Sequence, residues 1–136
     1  MKLKIFTDGG ARGNPGPAGA GVIILDELGK VVRKLKKYLG KQTNNFAEYS
    51  AVILALQEAK KMGAEELEFF MDSELAVKQL NGEYKIKNIE LGKLFIQIYN
   101  LSHNFKKITY KHISRQMNKL ADSLANQAMD ENTSSK

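Results

Sequence analysis

The sequence of 136 residues contains no cysteine and no long apolar segment, and each absence excludes a class of protein. Without cysteine the chain forms neither a disulfide framework nor a zinc site with thiolate ligands. No apolar run approaches the roughly 18–20 residues that a membrane-spanning helix needs. The first residues, Met1 to Thr7, also lack the apolar stretch and the small-residue cleavage site of a signal peptide. We therefore expect a cytoplasmic protein that has no membrane partner.

Acidic residues are fewer than basic ones, 15 against 21, which gives a net charge of +6. The basic residues concentrate in residues 33–41, which hold no acid, and in residues 82–119, which hold eight basic and two acidic residues. This distribution indicates a polyanionic partner, although a solvated surface accounts equally well for any single lysine. The two segments are where we expect contacts with phosphate.

Prolines and glycines cluster near the N-terminus, where residues 9–19 hold both prolines and five of the 11 glycines. This composition predicts a turn-rich loop. Alternating apolar residues predict three strands joined by hairpins up to residue 39, and helical spacing begins at Thr43. The predicted order is β-β-β-α-β-α-α-β-α, an α/β fold with a five-stranded mixed sheet flanked by helices. We assign residues 1–130 to one domain and residues 131–136 to a disordered tail.

Four carboxylates occupy positions that are unusual for acids. Asp8 and Asp72 each end an apolar strand, and parallel central strands gather such residues at one carboxyl edge of the sheet. Glu48 and Asp122 lie among the apolar residues of two helices. An acid at a core-facing position is costly to bury unless it is paired or binds a metal. Each acid alone is better explained as a turn, cap or solvated residue, but together these explanations need four coincidences.

The ligand chemistry of the four acids indicates the kind of metal. Oxygen ligands without a cysteine or histidine cluster favour Mg²⁺, with Mn²⁺ as an alternative, over Zn²⁺. Two such ions about 3.5–4 Å apart form the usual clamp for in-line displacement at phosphorus. The acids therefore predict a site with two Mg²⁺ ions for phosphodiester hydrolysis, without an organic cofactor.

Four segments that contain these acids resemble the motifs of type 1 ribonuclease H. They are Thr-Asp-Gly-Gly-Ala-Arg-Gly-Asn-Pro-Gly-Pro at 7–17, Thr-Asn-Asn-Phe-Ala-Glu-Tyr at 43–49, Met-Asp-Ser at 71–73 and Ala-Asp-Ser-Leu-Ala at 121–125. The resemblance runs from Lys4 to about Met129. It implies a ribonuclease H-like fold and an endonuclease that cuts the RNA strand of RNA–DNA hybrids, leaving a 5′-phosphate and a 3′-hydroxyl.

The resemblance also implies a role for each carboxylate. Asp8 is expected to bridge both metal ions. Asp122 is expected to complete the coordination of the ion that activates water, while Glu48 and Asp72 coordinate the other ion. Glu48 is further expected to sense the ribose 2′-hydroxyl, the group that distinguishes RNA from DNA.

The same resemblance assigns residues that touch the nucleic acid. The backbone of residues 9–12 is expected to approach the RNA strand, since small residues permit close contact. Asn14 and Thr43 are expected at a phosphate of the DNA strand. Asparagine and threonine also perform turn and cap chemistry, and both roles can coexist. The whole expected substrate-binding set is Gly9, Gly10, Ala11, Arg12, Asn14, Thr43, Asn44, Asn45 and Asn118.

The sequence has no tryptophan, and this marks one departure from the best-known bacterial form of the family. That form carries a basic, tryptophan-containing protrusion where this chain has the short segment 82–91. Lys85 and Lys87 are expected to substitute for it in part. Binding should then be weaker or more sensitive to salt.

A second departure concerns the general acid or base that precedes Asp122. His112 stands at the matching distance, but the His-x-x-Arg pattern of the compact subgroup favours Arg115. We expect Arg115 to assist product release or to orient phosphate. For His112, catalysis and a structural role at a strand end are equally open. Asn118 is expected to hydrogen-bond near the first ion.

Two other functions stay open at this stage. A related ribonuclease could also act on double-stranded RNA, and a non-catalytic nucleic-acid-binding module could share the fold. Intact acids at all four positions argue against the module, because repelling carboxylates near phosphates do nothing for binding alone. We expect a monomer whose partner is an RNA–DNA hybrid.

Overall fold

The computed structural model describes residues 1–133 of the chain. The predicted order of elements is confirmed, with a short 3₁₀ helix added before the last helix. No helix in this described part is both long enough and apolar enough to cross a membrane. The elements are β1 (Lys2–Ala11), β2 (Gly16–Leu25), β3 (Val31–Gln42), α1 (Asn44–Lys61), β4 (Glu66–Met71), α2 (Glu74–Leu80), α3 (Ile89–Ser102), β5 (Lys107–His112), the 3₁₀ helix (Arg115–Asn118) and α4 (Lys119–Thr133).

The five strands form one mixed sheet in the order β3-β2-β1-β4-β5. β1 and β3 pair antiparallel with β2, whereas β4 pairs parallel with both β1 and β5. Alternate residues of a strand face opposite sides of the sheet. On β2, Val22 and Ile24 join the main core with residues of α1, whereas Gly21 contacts α4. The two helices therefore cover opposite faces, which confirms the predicted α/β architecture.

The predicted loop at residues 9–19 is largely strand, because only residues 12–15 lie between β1 and β2. The glycines here allow close packing against helices. A Cβ atom on Gly9 would lie 2.2 Å from a backbone oxygen of α1, and one on Gly19 would lie 2.6 Å from a backbone oxygen of α4. Only glycine permits a helix backbone to approach the sheet this closely. The glycine-rich composition alone predicts turns. The helices that these glycines contact are distant in sequence, so their close packing leaves no local signal.

The predicted start of the tail at residue 131 is corrected by α4, which continues through Thr133. Ala128 and Met129 are buried, and both would touch a Cβ atom on Gly19 of β2. Lys36 of β3 forms an ion pair with Glu131. These contacts hold the end of α4 on the sheet. Residues 134–136, the rest of the predicted tail, lie outside the described residues.

Candidate active site

Asp8 and Asp72 lie side by side at one edge of the central strands. The parallel pairing of β1 with β4 ends at Thr7 and Met71, and each aspartate is the next residue. Because the strands are parallel, both carboxylates emerge at the same carboxyl edge, as the sequence predicted. Asp8 does not end its strand, however, because β1 goes on pairing with β2 beyond it.

α1 brings Glu48 to the same edge. The helix begins after Thr43, whose hydroxyl oxygen accepts a hydrogen bond from the amide of Phe46. The hydroxyl of Ser73, the residue after Asp72, hydrogen-bonds the Glu48 carboxylate. The other oxygen, Oε2 of Glu48, is buried and has no hydrogen-bond partner within the described residues. A buried carboxylate oxygen without a donor is suited to a cation.

α4 supplies the fourth carboxylate. Asp8 faces Gly21 across the β1–β2 ladder, and a Cβ atom on Gly21 would lie 2.2 Å from the carbonyl oxygen of Ala121. The first turn of α4 therefore lies against β2 beside Asp8. Asp122 is the next residue, and its carboxyl group shares a hydrogen bond with that of Asp8. Four acids from separate parts of the chain thus meet at one site.

Burial and mutual repulsion raise the pKa values of two of these acids. Burial, the hydrogen bond with Asp122 and the charges of the neighbouring acids raise the pKa of Asp8 to about 8. Burial, supported by the charge of Asp72, raises the pKa of Glu48 to about 7, although a serine hydroxyl and the charge of Arg115 oppose this shift. Such strongly raised carboxylate pKa values are typical of functional sites.

The donor set at this edge fits a divalent cation. All four side chains offer carboxylate oxygens, which Mg²⁺ and Mn²⁺ prefer, and the unpartnered oxygen of Glu48 points to the same chemistry. Within residues 1–133 no three acids or histidines are already closed around one position. The neighbouring carboxylates repel one another, and a bound cation would offset this repulsion.

Asn118 was expected to touch the substrate, and the structure corrects this expectation. The side chain is only 1% exposed, so it presents no surface to a nucleic acid. Its amide nitrogen donates hydrogen bonds to the carbonyl oxygen of Thr7, at 2.8 Å, and to Oδ2 of Asp72, at 3.1 Å. Asn118 therefore fixes the 3₁₀ helix to β1 and orients the Asp72 carboxylate. A polar residue beside a short turn gave no sequence signal of burial.

Arg115 and His112 lie in different surroundings. Arg115 begins the 3₁₀ helix, and its charge acts on Glu48. His112 ends β5, and its Nδ1 lies 4.0 Å from Oε2 of Glu74 in α2. The arginine is therefore the member of the His-x-x-Arg pattern that acts on the carboxylate cluster. The catalytic roles of both residues stay predictions.

Asparagine side chains join the turn after β1 to the start of α1. Oδ1 of Asn44 accepts a hydrogen bond of 2.8 Å from the amide of Ala11, and Oδ1 of Asn14 accepts one of 3.1 Å from the amide of Asn44. The expected turn chemistry is therefore present at these positions. A cleft of about 510 Å³ opens beside them. It is lined by Asn14, Gln42, Thr43, Asn44, Asn45, Phe46, Asn88, Glu90 and Leu91.

Several residues around the site were not predicted. In the cleft these are Gln42, Phe46, Asn88, Glu90 and Leu91, of which Asn88 also caps α3 by accepting a hydrogen bond from the amide of Leu91. Beside Asp122 the unpredicted residue is Asn126, which donates a hydrogen bond to its carboxylate. The spacing of four residues on one helix face was the available signal for Asn126.

The turn residues expected along the RNA strand divide by environment. Residues 9–11 lie within β1 after Asp8. Arg12 lies in the turn, and its side chain reaches α4, where Nη1 is 2.6 Å from Oδ1 of Asp130. The side chain of Arg12 is therefore turned towards protein, while the predicted substrate contact concerned its backbone.

The sequence is similar to a known protein family and to individual proteins. Residues 6–128 match the family described as "Reverse transcriptase-like". A bifunctional protein of Mycobacterium tuberculosis is 44% identical over 131 residues, which are 96% of this chain and 36% of that protein. Ribonuclease HI of Halobacterium salinarum is 35% identical over 130 residues, which are 96% of this chain and 65% of that enzyme. The chain thus spans about a third to two thirds of the length of these curated relatives.

Solved structures of similar proteins superpose closely. The N-terminal ribonuclease H domain of the M. tuberculosis protein has a TM-score of 0.92 at 44% identity, covering 96% of this chain and 100% of that chain. The H. salinarum enzyme has a TM-score of 0.93 at 35% identity, covering 96% and 99%. A ribonuclease H1 isolated from compost, solved in complex with an RNA/DNA hybrid, has a TM-score of 0.92 at 43% identity, covering 96% and 98%.

Proposed function

Because the chain belongs to the type 1 ribonuclease H family, we propose that it is an endonuclease that hydrolyses the RNA strand of RNA–DNA hybrids. The observation that carries this proposal is the meeting of Asp8, Glu48, Asp72 and Asp122 at one sheet edge, with an unpartnered oxygen on Glu48. The names of the similar enzymes, and the hybrid bound to one of them, support the choice of substrate.

The four acids would hold two divalent ions, Mg²⁺ or Mn²⁺. When bound there, such ions activate the attacking water and stabilise the leaving oxygen of an in-line displacement at phosphorus. The proposed products carry a 5′-phosphate and a 3′-hydroxyl. Asp8 has the other three acids as its charged neighbours, which supports its role as the ligand common to both ions.

The remaining residues prepare this cluster for chemistry. Asn118 orients Asp72 from below, and the Ser73 hydroxyl holds one side of Glu48. The other oxygen of Glu48 is buried and has no hydrogen-bond partner within residues 1–133, which supports a role as a ligand of a divalent cation; the proposed sensing of a ribose 2′-hydroxyl falls to the same carboxylate. The positive charge of Arg115 acts on the same carboxylate, which supports a role in orienting phosphate or releasing product.

Substrate is proposed to lie across the β1–β2 turn and the start of α1. The cleft beside Asn14, Thr43, Asn44 and Asn45 offers amide and hydroxyl donors; its lining residues include one acid, Glu90, and no lysine or arginine. Such donors suit a DNA phosphate held by neutral hydrogen bonds. The net charge of +6 adds a long-range attraction that weakens with salt.

A cleavage assay on matched RNA–DNA, RNA–RNA and DNA–DNA duplexes with Mg²⁺ or Mn²⁺ tests the proposal. Only the RNA strand of the hybrid should be cut efficiently. Asp72→Asn should abolish cutting while hybrid binding is retained, because asparagine keeps an oxygen acceptor for Asn118 but loses the charge that holds a cation. Glu66→Gln, a change of an exposed acid on β4, the strand that precedes Asp72, is the control and should cut normally.

Two outcomes of this assay contradict the proposal. Cleavage by Asp72→Asn at the parental rate would contradict the assignment of Asp72 to a metal site. Equal cutting of double-stranded RNA and hybrid would favour the broader ribonuclease over the hybrid-specific enzyme.

A further inference from the structure

A chain of polar contacts connects the β1–β2 turn to Asp122. Nη1 of Arg12 lies 2.6 Å from Oδ1 of Asp130, and Nη2 of Arg12 donates a hydrogen bond of 3.5 Å to Oδ1 of Asn126. The amide nitrogen of Asn126 then donates to the carbonyl oxygen of Asp122 at 3.1 Å and to its Oδ2 at 3.3 Å. The guanidinium thus occupies the acceptor end of the Asn126 amide, and the donor end faces the carboxylate.

Asp122 needs such support more than the other acids do. Its side chain is exposed, whereas Oε2 of Glu48 is buried and the Asp72 carboxylate is held by the buried Asn118. An exposed aspartate in the first turn of a helix loses rotamer freedom when it becomes a ligand. Its other hydrogen-bonded neighbour is Asp8, which is itself proposed to bind the ions.

We propose that Asn126 is a positioning residue that holds Asp122 in the orientation for binding a divalent ion, and that Arg12 and Asp130 fix the Asn126 amide for this task. The inference deepens the proposed function and rests on it. Asn126 acts through Asp122 and touches neither substrate nor ion. Hydrogen-bonded partners of metal ligands typically change metal affinity or activity by about 10–100-fold when removed.

The contact chain also couples the turn to the carboxylate. Arg12 is tied into the turn, because its amide donates a hydrogen bond of 2.8 Å to the carbonyl oxygen of Pro17. The guanidinium that anchors Asn126 therefore belongs to a residue fixed in the turn as well as paired with α4.

The first test measures cleavage of the hybrid against Mg²⁺ concentration for Asn126→Ala and the size-matched Asn126→Leu. Both should raise the half-saturating Mg²⁺ concentration roughly tenfold, at the lower end of the usual range because the site is partly exposed. At saturating Mg²⁺, kcat should recover to within about twofold, since the ion then holds Asp122 itself. An unchanged half-saturating concentration, or a kcat that stays low at saturation, overturns the proposal.

The control is Gln127→Ala, the next residue on the exposed side of α4, which makes no hydrogen bond to Asp122. It should need the same Mg²⁺ concentration as the parent. An equal effect in Gln127→Ala and Asn126→Ala would mean that α4 as a whole is disturbed, which also overturns the proposal.

A double-mutant cycle tests the part played by Asp130. Asp130→Asn should raise the half-saturating Mg²⁺ concentration less than Asn126→Ala does, because Arg12 keeps one of its two partners. The double variant should equal Asn126→Ala alone, since both changes break one chain of contacts. Effects that multiply would overturn the link through Arg12.

A measurement without catalysis separates this inference from the proposed function. In metal-free protein, the side-chain amide resonances of Asn126 should move in Asp122→Asn and in Asp130→Asn, as seen by nuclear magnetic resonance. Unmoved resonances would overturn the contact chain even if the protein cuts hybrids. A parent protein that cuts no hybrid, with resonances that do move, would instead contradict the proposed function.

Discussion

Neutralising Asp8 should stabilise the metal-free protein. The pKa of Asp8 is raised from 3.8 to about 8 by burial and by the neighbouring carboxylates. The folded state therefore binds more protons than the unfolded state between these two pH values, and stability falls as the pH rises through that range. Asp8→Asn removes the ionisable group and should abolish the share of this stability loss that Asp8 causes.

The size of the effect follows from the difference between the two pKa values. One pKa unit corresponds to about 1.4 kcal/mol. The raised pKa of Asp8 therefore lowers the free energy of unfolding by at most about 2 kcal/mol at pH 5 and about 4 kcal/mol at pH 7. Asp122 is exposed and can turn to solvent, so we expect about half of these values in practice. For a domain of this size the gain at pH 7 raises Tm by about 6 °C, and the gain at pH 5 by about 3 °C.

The assay is thermal unfolding of the parent and Asp8→Asn in a metal chelator at both pH values, with Glu66→Gln as an exposed-acid control. Added Mg²⁺ should stabilise the parent more than the variant, because the variant lacks the acid proposed to bridge both ions. A variant that is less stable than the parent without metal would refute the reasoning. So would a gain in Tm that is the same at pH 5 and pH 7.

Two further predictions concern the surroundings of the carboxylates. Arg115→Ala should lower kcat for hybrid cleavage by roughly 10²-fold or more, the usual scale for a group that assists proton transfer. His112→Ala should lower kcat much less. Steady-state rates at saturating Mg²⁺ that rank the two variants in the reverse order would contradict this prediction. Gly21→Ala should cost about 2–3 kcal/mol in the free energy of unfolding and also lower kcat, because its Cβ atom forces α4 and its acid away from the sheet. Gly92→Ala has open space around the new Cβ atom and should leave kcat unchanged; equal losses in both glycine variants, measured by denaturation and by cleavage rate, would contradict the packing argument.

The sequence by itself determined the order of the elements and the identity of the four acids. Apolar periodicity is a local property, so it predicted strands before Asp8 and Asp72 and helices around Glu48 and Asp122. The continuous apolar run before Asp72 predicted a strand in a parallel arrangement, and parallel central strands bring their carboxyl ends to one edge. The motifs around these acids were long enough to identify the family, which the comparisons confirmed.

The tertiary structure decided how the acids are packed and supported. The glycines between residues 9 and 19 were read as turns, although Gly9 and Gly19 allow α1 and α4 to approach the sheet. Asn118 was expected to touch the substrate and to hydrogen-bond near the first ion; it is buried and donates a hydrogen bond to Asp72. Asn126 was not singled out, although it supports Asp122. Each of these contacts forms only when helices and strands pack together. Close packing between distant segments leaves no local pattern in the sequence.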